Sequence, residues 1–115
     1  MPANTIDAAT FAELQANTGA DFVVELVDAF LADAPPLLAA MRTAQSAGDA
    51  VAFRRAAHSL KSNGLTFGAF EFSAQARELE ETGLVALGDQ VVPKLQQLEG
   101  AYAAVASALH KLNHG

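Results

Sequence analysis

Ala56-Ala57-His58-Ser59-Leu60-Lys61-Ser62-Asn63-Gly64-Leu65-Thr66-Phe67-Gly68 decides how this chain is read. Together with the residues just before it, the stretch has the period of an amphipathic helix. Phe53, Ala57, Leu60, Gly64 and Phe67 follow one another at steps of 4, 3, 4 and 3. At about 100° per residue they form one narrow stripe, the seam a helix turns toward its neighbours. His58 falls about 140° from the centre of that stripe, so its imidazole is turned outward. Arg54, Lys61, Ser62 and Leu65 are its neighbours on the outer face. No acid occurs between Asp49 and Glu71, although the chain carries 13 acids against 7 bases. An outward imidazole with basic neighbours in an acidic protein calls for a chemical reason.

The rest of the 115 residues reads as helix on either side of this segment. Thr5 or Asp7 caps a short first helix that uses Ala8, Phe11 and Leu14 and ends near Asn17-Thr18-Gly19. Asp21 opens a longer one, with Phe22, Val23, Leu26, Val27, Phe30 and Leu31 at helical spacing. Pro35-Pro36 interrupts the pattern and Leu37, Leu38 and Met41 resume it, which predicts one kinked helix or two nearly coaxial ones. Gly48 supplies a stop and Asp49 the next cap. The histidine helix then spans about 50–67, a fourth helix about 69–82 with Gly83 as its stop, and a last one about 90–112 capped by Asp89. Pro93 suits the first turn of that helix, where no backbone donor is needed. Short connections favour antiparallel neighbours, and no strand signal or repeat is present. The expected fold is all-α: one domain over 1–115, an antiparallel up-and-down four-helix bundle with an additional short N-terminal helix.

Composition excludes several classes of function. Half the residues are apolar, 17% are charged, and alanine is abundant, which suits closely packed helices and not disorder. A net charge of -6 argues against a nucleic-acid or anionic-membrane surface. Without cysteine there is no disulfide framework and no thiolate metal site. Met1-Pro2-Ala3-Asn4-Thr5 lacks the basic start and apolar run of a leader, and no apolar run approaches the ~20 residues of a membrane span. A cytoplasmic protein is the expectation, and the Met1 start with single-domain length favours a free-standing one.

Two features of the histidine face exceed an ordinary solvated helix. Leu65 and Val51 lie on the outer side, where an isolated bundle has no use for them and a partner does. Gly64 costs about 1 kcal/mol relative to alanine inside a helix, so close approach of another backbone, from the neighbouring helix or a partner, explains its presence. The plainer reading is a histidine and three bases on a solvated face without a task, since most surface histidines are only that.

Ala57-His58-Ser59-Leu60-Lys61, followed by Gly68-Ala69 ten residues after the histidine, resembles the signature of histidine-containing phosphotransfer domains of multistep phosphorelays: His-x-Leu-Lys-Gly with a later Gly-Ala. Ala47-Gly48-Asp49, Arg77-Glu78-Leu79-Glu80 and the Asp33-Ala34-Pro35 stretch of the kinked helix are similar to the same family, so the likeness covers almost the whole chain. It implies a phosphoryl carrier without kinase activity of its own. Nε2 of His58 takes the phosphoryl group from a receiver-domain aspartate and yields it to a second receiver. The receiver brings Mg²⁺, this chain needs no cofactor, and a monomer suffices. By the same resemblance Lys61 stabilises the phosphoryl charge, and Arg54 or Arg55 adds potential that steers an acidic receiver. Val51, Leu65 and Gly68 join the docking surface. Glu80 or Gln75 on the following helix bonds the other ring nitrogen. Ser62 stands where the family usually has glycine; it is small enough for docking, and its hydroxyl suits a phosphoryl oxygen.

Other readings carry distinct expectations. A helical adaptor or inhibitor would bind a receiver or kinase through Val51, Arg54 and Leu65 without being phosphorylated. A metal-binding bundle would use His110 and His114, which have i, i+4 spacing but no buried acid or cysteine to complement them. Glu78, Glu80 and Glu81 read as a solvated helix face. With no Ser-His-Asp arrangement and no glycine-rich phosphate loop, no enzyme in the usual sense is expected.

Overall fold

Helix boundaries in the computed structural model follow from side chains that cap and glycines that stop. It describes residues 5–114. Met1–Asn4, part of the N-terminal stretch read above as lacking a leader, lie outside these residues, as do Gly115 and the side chain of His114. Helix α1 (Ala8–Thr18) starts at Asp7, whose carboxylate accepts from Thr10 N at 3.0 Å and Thr10 Oγ1 at 2.6 Å. Thr5, the other capping candidate, is not the residue used. Helix α2 (Ala20–Ala47) ends at Gly48, whose left-handed φ of 70° lets its N–H reach Ala44 O and Gln45 O. Asp49 caps α3 (Ala50–Phe67) by accepting from Ala52 N, and Gly68 closes it with φ 82°. Helix α4 (Phe70–Thr82) follows after a single turn.

Of the two arrangements expected around the proline pair, one long helix is found, whereas the stretch after Gly83 departs from expectation. Helix α2 is continuous through Pro35 and Pro36. Pro35 has no N–H to give to the Leu31 carbonyl, and Tyr102 Oη donates to that carbonyl instead, at a long 3.4 Å. The stretch after Gly83 folds into a one-turn helix α5 (Leu84–Leu87) and a 3₁₀ turn over Gly88–Gln90 before α6 (Val91–His114) begins. Leu84 and Leu87 are buried, so this turn seals the end of the core. Asp89 sits within the 3₁₀ turn and not directly before the last helix.

Among the described residues every regular element is helical. Helix α3 packs on α2 and α4, and α6 closes the ring against α4 and α2, while α1 lies over α2 and α3. At the centre Phe30 meets Phe67, Tyr102 and Phe72 at centroid distances of 5.5, 5.8 and 6.2 Å. Arg42 binds Glu99 through Nε and Nη2 at 2.6 and 2.7 Å, a fork-to-carboxylate tie between α2 and α6. The whole predicted seam of α3 is buried: Phe53, Ala57, Leu60, Gly64 and Phe67. Phe22, one of the apolar residues at helical spacing in α2, is half exposed because the buried stripe runs through Val23, Val27 and Phe30.

Candidate functional site

The outward face of α3 acquires its chemistry from the way α4 is pressed against the seam. A Cβ at Gly64 would overlap Ser73 Oγ and lie 2.8 Å from Phe72 Cδ2, so only glycine admits α4 this close. The buried Ser73 hydroxyl donates to the Lys61 carbonyl at 3.0 Å. That contact fixes the register of the two helices. Seven residues beyond Ser73, two turns along the same face, comes Glu80.

Glu80 joins the two residues of the motif. His58 Nδ1 lies 2.7 Å from Glu80 Oε2, and Lys61 Nζ lies 2.7 Å from Glu80 Oε1. The His58 side chain is 59% exposed, whereas Lys61 and Glu80 are 22% and 17% exposed. An ionised carboxylate only accepts, so Nδ1 carries the proton, and in the neutral ring Nε2 keeps its lone pair. The hydrogen bond from Lys61 holds the Glu80 carboxyl below the ordinary carboxylate range, and that from His58 adds to it against the opposing effect of burial.

Two further carboxyls shift the same way: Asp7 through its Thr10 hydrogen bonds and Glu99 through Arg42. A carboxyl with a depressed folded pKa contributes stability that is complete above its unfolded pKa and is lost as pH falls through the folded one. Urea midpoints should therefore be flat from about pH 7 to 5 and fall below about pH 4.5. A midpoint unchanged down to pH 3 would remove this account of the three pairs.

The other predicted positions separate into two groups. Arg54, Arg55, Ser62, Val51 and Leu65 are exposed on the His58 side of α3, with Val51 50% and Leu65 46% accessible. Arg54, Arg55 and Ser59 share one shallow depression with His58 and Glu80. Ser62 borders a second depression with Asp33, Pro36 and Leu37 of α2. Gln75 and Gly68 depart from expectation. Gln75 points into a cleft with Gln97 and Ala101 of α6, on the other side of α4 from the histidine. Gly68 is buried, its carbonyl taken by Asp7 N at 2.9 Å, and a Cβ there would lie 2.9 Å from Thr10 Cβ. Its part is to end α3 beneath α1, and it offers no docking surface.

Ser73 was not foreseen. Its only trace in the sequence is a small polar residue beside the apolar seam of α4, and a pairwise contact with Gly64 cannot be read from either residue alone. Of the three acids near the end of α4, Glu78 faces Lys94, Glu81 pairs with Arg77, and Glu80 alone turns to the histidine. His110 is exposed, and no three His, Cys, Asp or Glu side chains among the described residues converge as a metal site requires. No helix among them is long and apolar enough to cross a membrane.

The chain is similar to known proteins in both sequence and fold. The family model of the Hpt domain matches residues 25–108. The crystal structure of histidine-containing phosphotransfer protein B (HptB) from Pseudomonas aeruginosa PAO1 superposes with a TM-score of 0.90. It is 28% identical and the alignment covers 97% of this chain and 96% of that one. No curated protein matches. With an exposed, carboxylate-bound histidine on the third helix and a family match over most of its length, the chain belongs to the histidine-containing phosphotransfer (Hpt) domain family.

Proposed function

We propose that the chain is a phosphorelay intermediate that takes a phosphoryl group from a receiver aspartate onto His58 and passes it to the aspartate of another receiver. The observation that carries this reading is the 2.7 Å contact of His58 Nδ1 with Glu80 on an otherwise exposed ring. It leaves Nε2 as the nucleophile. The Nε2 lone pair attacks phosphorus, the N–P bond forms as the P–O bond to the aspartyl carboxylate breaks, and that carboxylate departs with the bonding pair. The Nδ1 proton stays in place, so the ring becomes a phosphorylated cation that Glu80 stabilises. In the onward step the receiver carboxylate attacks phosphorus and the N–P bond breaks with its pair returning to Nε2; because Nδ1 keeps its proton, the departing group is a neutral imidazole, so the same contact supports that transfer.

Phosphoryl transfer rests on positioning and on charge stabilisation, both of which a rigid bundle and its partner can divide between them. Mg²⁺ belongs to the receiver in this scheme. Near His58 stand two carboxylates, Glu80, already engaged by His58 and Lys61, and Asp33 across the depression toward α2, and they do not converge with a third ligand among the described residues, whereas Mg²⁺ calls for several oxygen ligands. The chain acts as a monomeric cytoplasmic carrier without kinase activity of its own. Val51, Arg54 and Leu65 meet the receiver. Incubation with a receiver domain carrying a labelled aspartyl phosphate should move label onto this chain within minutes. Binding of the receiver with no label transferred would replace the carrier by an adaptor that merely docks.

Glu80→Gln tests the role of the carboxylate. It keeps a hydrogen-bond acceptor for Nδ1–H but removes the charge that favours the cationic ring. Transfer should slow by about tenfold, and Glu80→Ala by about a hundredfold, in the range that positioned acid–base partners contribute. Equal rates in all three proteins would mean that Glu80 serves only to hold Lys61.

A further inference from the structure

The motif lysine is the obvious partner for a phosphoryl group on His58, yet Lys61 is committed elsewhere. Its ammonium sits 2.7 Å from Glu80 Oε1, on the carboxylate whose other oxygen holds Nδ1. The two nitrogens of an imidazole point to nearly opposite sides of the ring. A phosphoryl group on Nε2 is therefore formed on the side away from Glu80, and so away from the ammonium bound to it.

Helical geometry says which cation lies on that other side. Residues three before and three after a given position fall about 60° to opposite sides of it. Lys61 and Arg55 are those residues for His58. Because Lys61 reaches Glu80, α4 lies on the Lys61 side, and Arg55 lies on the opposite side. Arg54 falls about 40° toward α4. Arg55 is exposed and lines one depression together with Arg54, His58, Ser59 and Glu80. Arg42, Lys61, Arg77 and Lys94 each hold a carboxylate, whereas among the described residues no ion pair occupies Arg55. The neighbouring depression toward the C-terminal end of α3 contains Asp33, whose charge disfavours a phosphoryl group there. Charge thus favours the direction of Arg55.

We infer that Arg55 is the phosphoryl-binding cation of this protein: its guanidinium holds the oxygens of the phosphoryl group on Nε2 while Lys61 stays with Glu80. This rests on the carrier reading above. A guanidinium suits the role because its planar fork meets two phosphoryl oxygens at once.

Phosphorylation by phosphoramidate, a small donor that needs no docking surface, separates this role from receiver steering. Intact mass would follow the modified fraction, and arginine Nε–H resonances would be recorded before and after. Arg55→Gln should lower the rate of modification or the phosphohistidine half-life about tenfold with an unchanged thermal midpoint. Arg55→Lys should recover part of the loss, and Lys111→Gln, which removes an exposed cation of α6, should stay within about twofold. The Arg55 Nε–H signal should shift on phosphorylation of the wild-type chain. A loss below twofold in Arg55→Gln, or an unmoved Arg55 signal, overturns the inference and returns the phosphoryl group to Lys61. A wild-type chain that takes no phosphoryl group from either phosphoramidate or a phosphorylated receiver brings down the carrier reading, and this inference with it.

Discussion

His58→Gln should take no label from a phosphorylated receiver, a fall of at least a thousandfold against wild type, with its thermal midpoint within about 2 °C. The loss is complete because no second nucleophile stands in for Nε2: Ser59 and Ser62 are unactivated hydroxyls, and the Lys61 amino group is engaged by Glu80 at 2.7 Å. The fold survives because the ring is 59% exposed and buries little apolar surface. Glutamine spans a similar length and can still donate to Glu80, so the carboxylate keeps a partner. Stability bought by an exposed His–Glu contact is small in any case, about 1 kcal/mol or less. Residual label of a few per cent would place the acceptor on another residue. A collapse of the midpoint would mean instead that His58 is part of the packing.

How much of this was legible beforehand depends on the range of the interaction concerned. Asp49, Gly48 and Gly68 act on residues within one turn, and the bounds of α3 follow from them directly. The buried seam is likewise a property of one helix, so Phe53 through Phe67 could be placed without the other helices. Phe22 misled because Phe22 and Val23 are both apolar and only the packing partner chooses between them. Helix α5 was hidden because a four-residue helix has no period to detect. Gln75 and Glu80 lie five positions apart, which on a helix puts them on different faces, and the motif alone left both open. The register of α4 against α3 selects Glu80, and that register is set by Gly64 and Ser73. Gly68 looked like a surface residue of the motif because nothing in the sequence says that α1 folds back over the end of α3.

That register makes Gly64 the position where stability and chemistry are most tightly joined. Gly64→Val should lower the stability of the bundle by about 3 kcal/mol, and the thermal midpoint by more than 10 °C. The added Cβ alone overlaps Ser73 Oγ and crowds Phe72 Cδ2 at 2.8 Å, and the branched methyls have nowhere else to go. Forcing α4 outward also breaks the Ser73 bond to the Lys61 carbonyl and deprives the buried Ser73 hydroxyl of its acceptor, a further cost of about 1–3 kcal/mol. Alanine at the same position regains about 1 kcal/mol of helix propensity and so should cost less. Chemistry should suffer beyond stability. Glu80 rides on α4, so a displaced helix loosens its contact with Nδ1, and phosphoryl uptake should fall even well below the melting temperature while His58 and Lys61 remain in place. Pairing Gly64→Ala with Ser73→Ala removes the nearest clash, and a double-mutant cycle should show the two losses to be less than additive. Strict additivity, or a Gly64→Val protein that melts and transfers like wild type, would show that α4 has room to spare and that its register is fixed elsewhere.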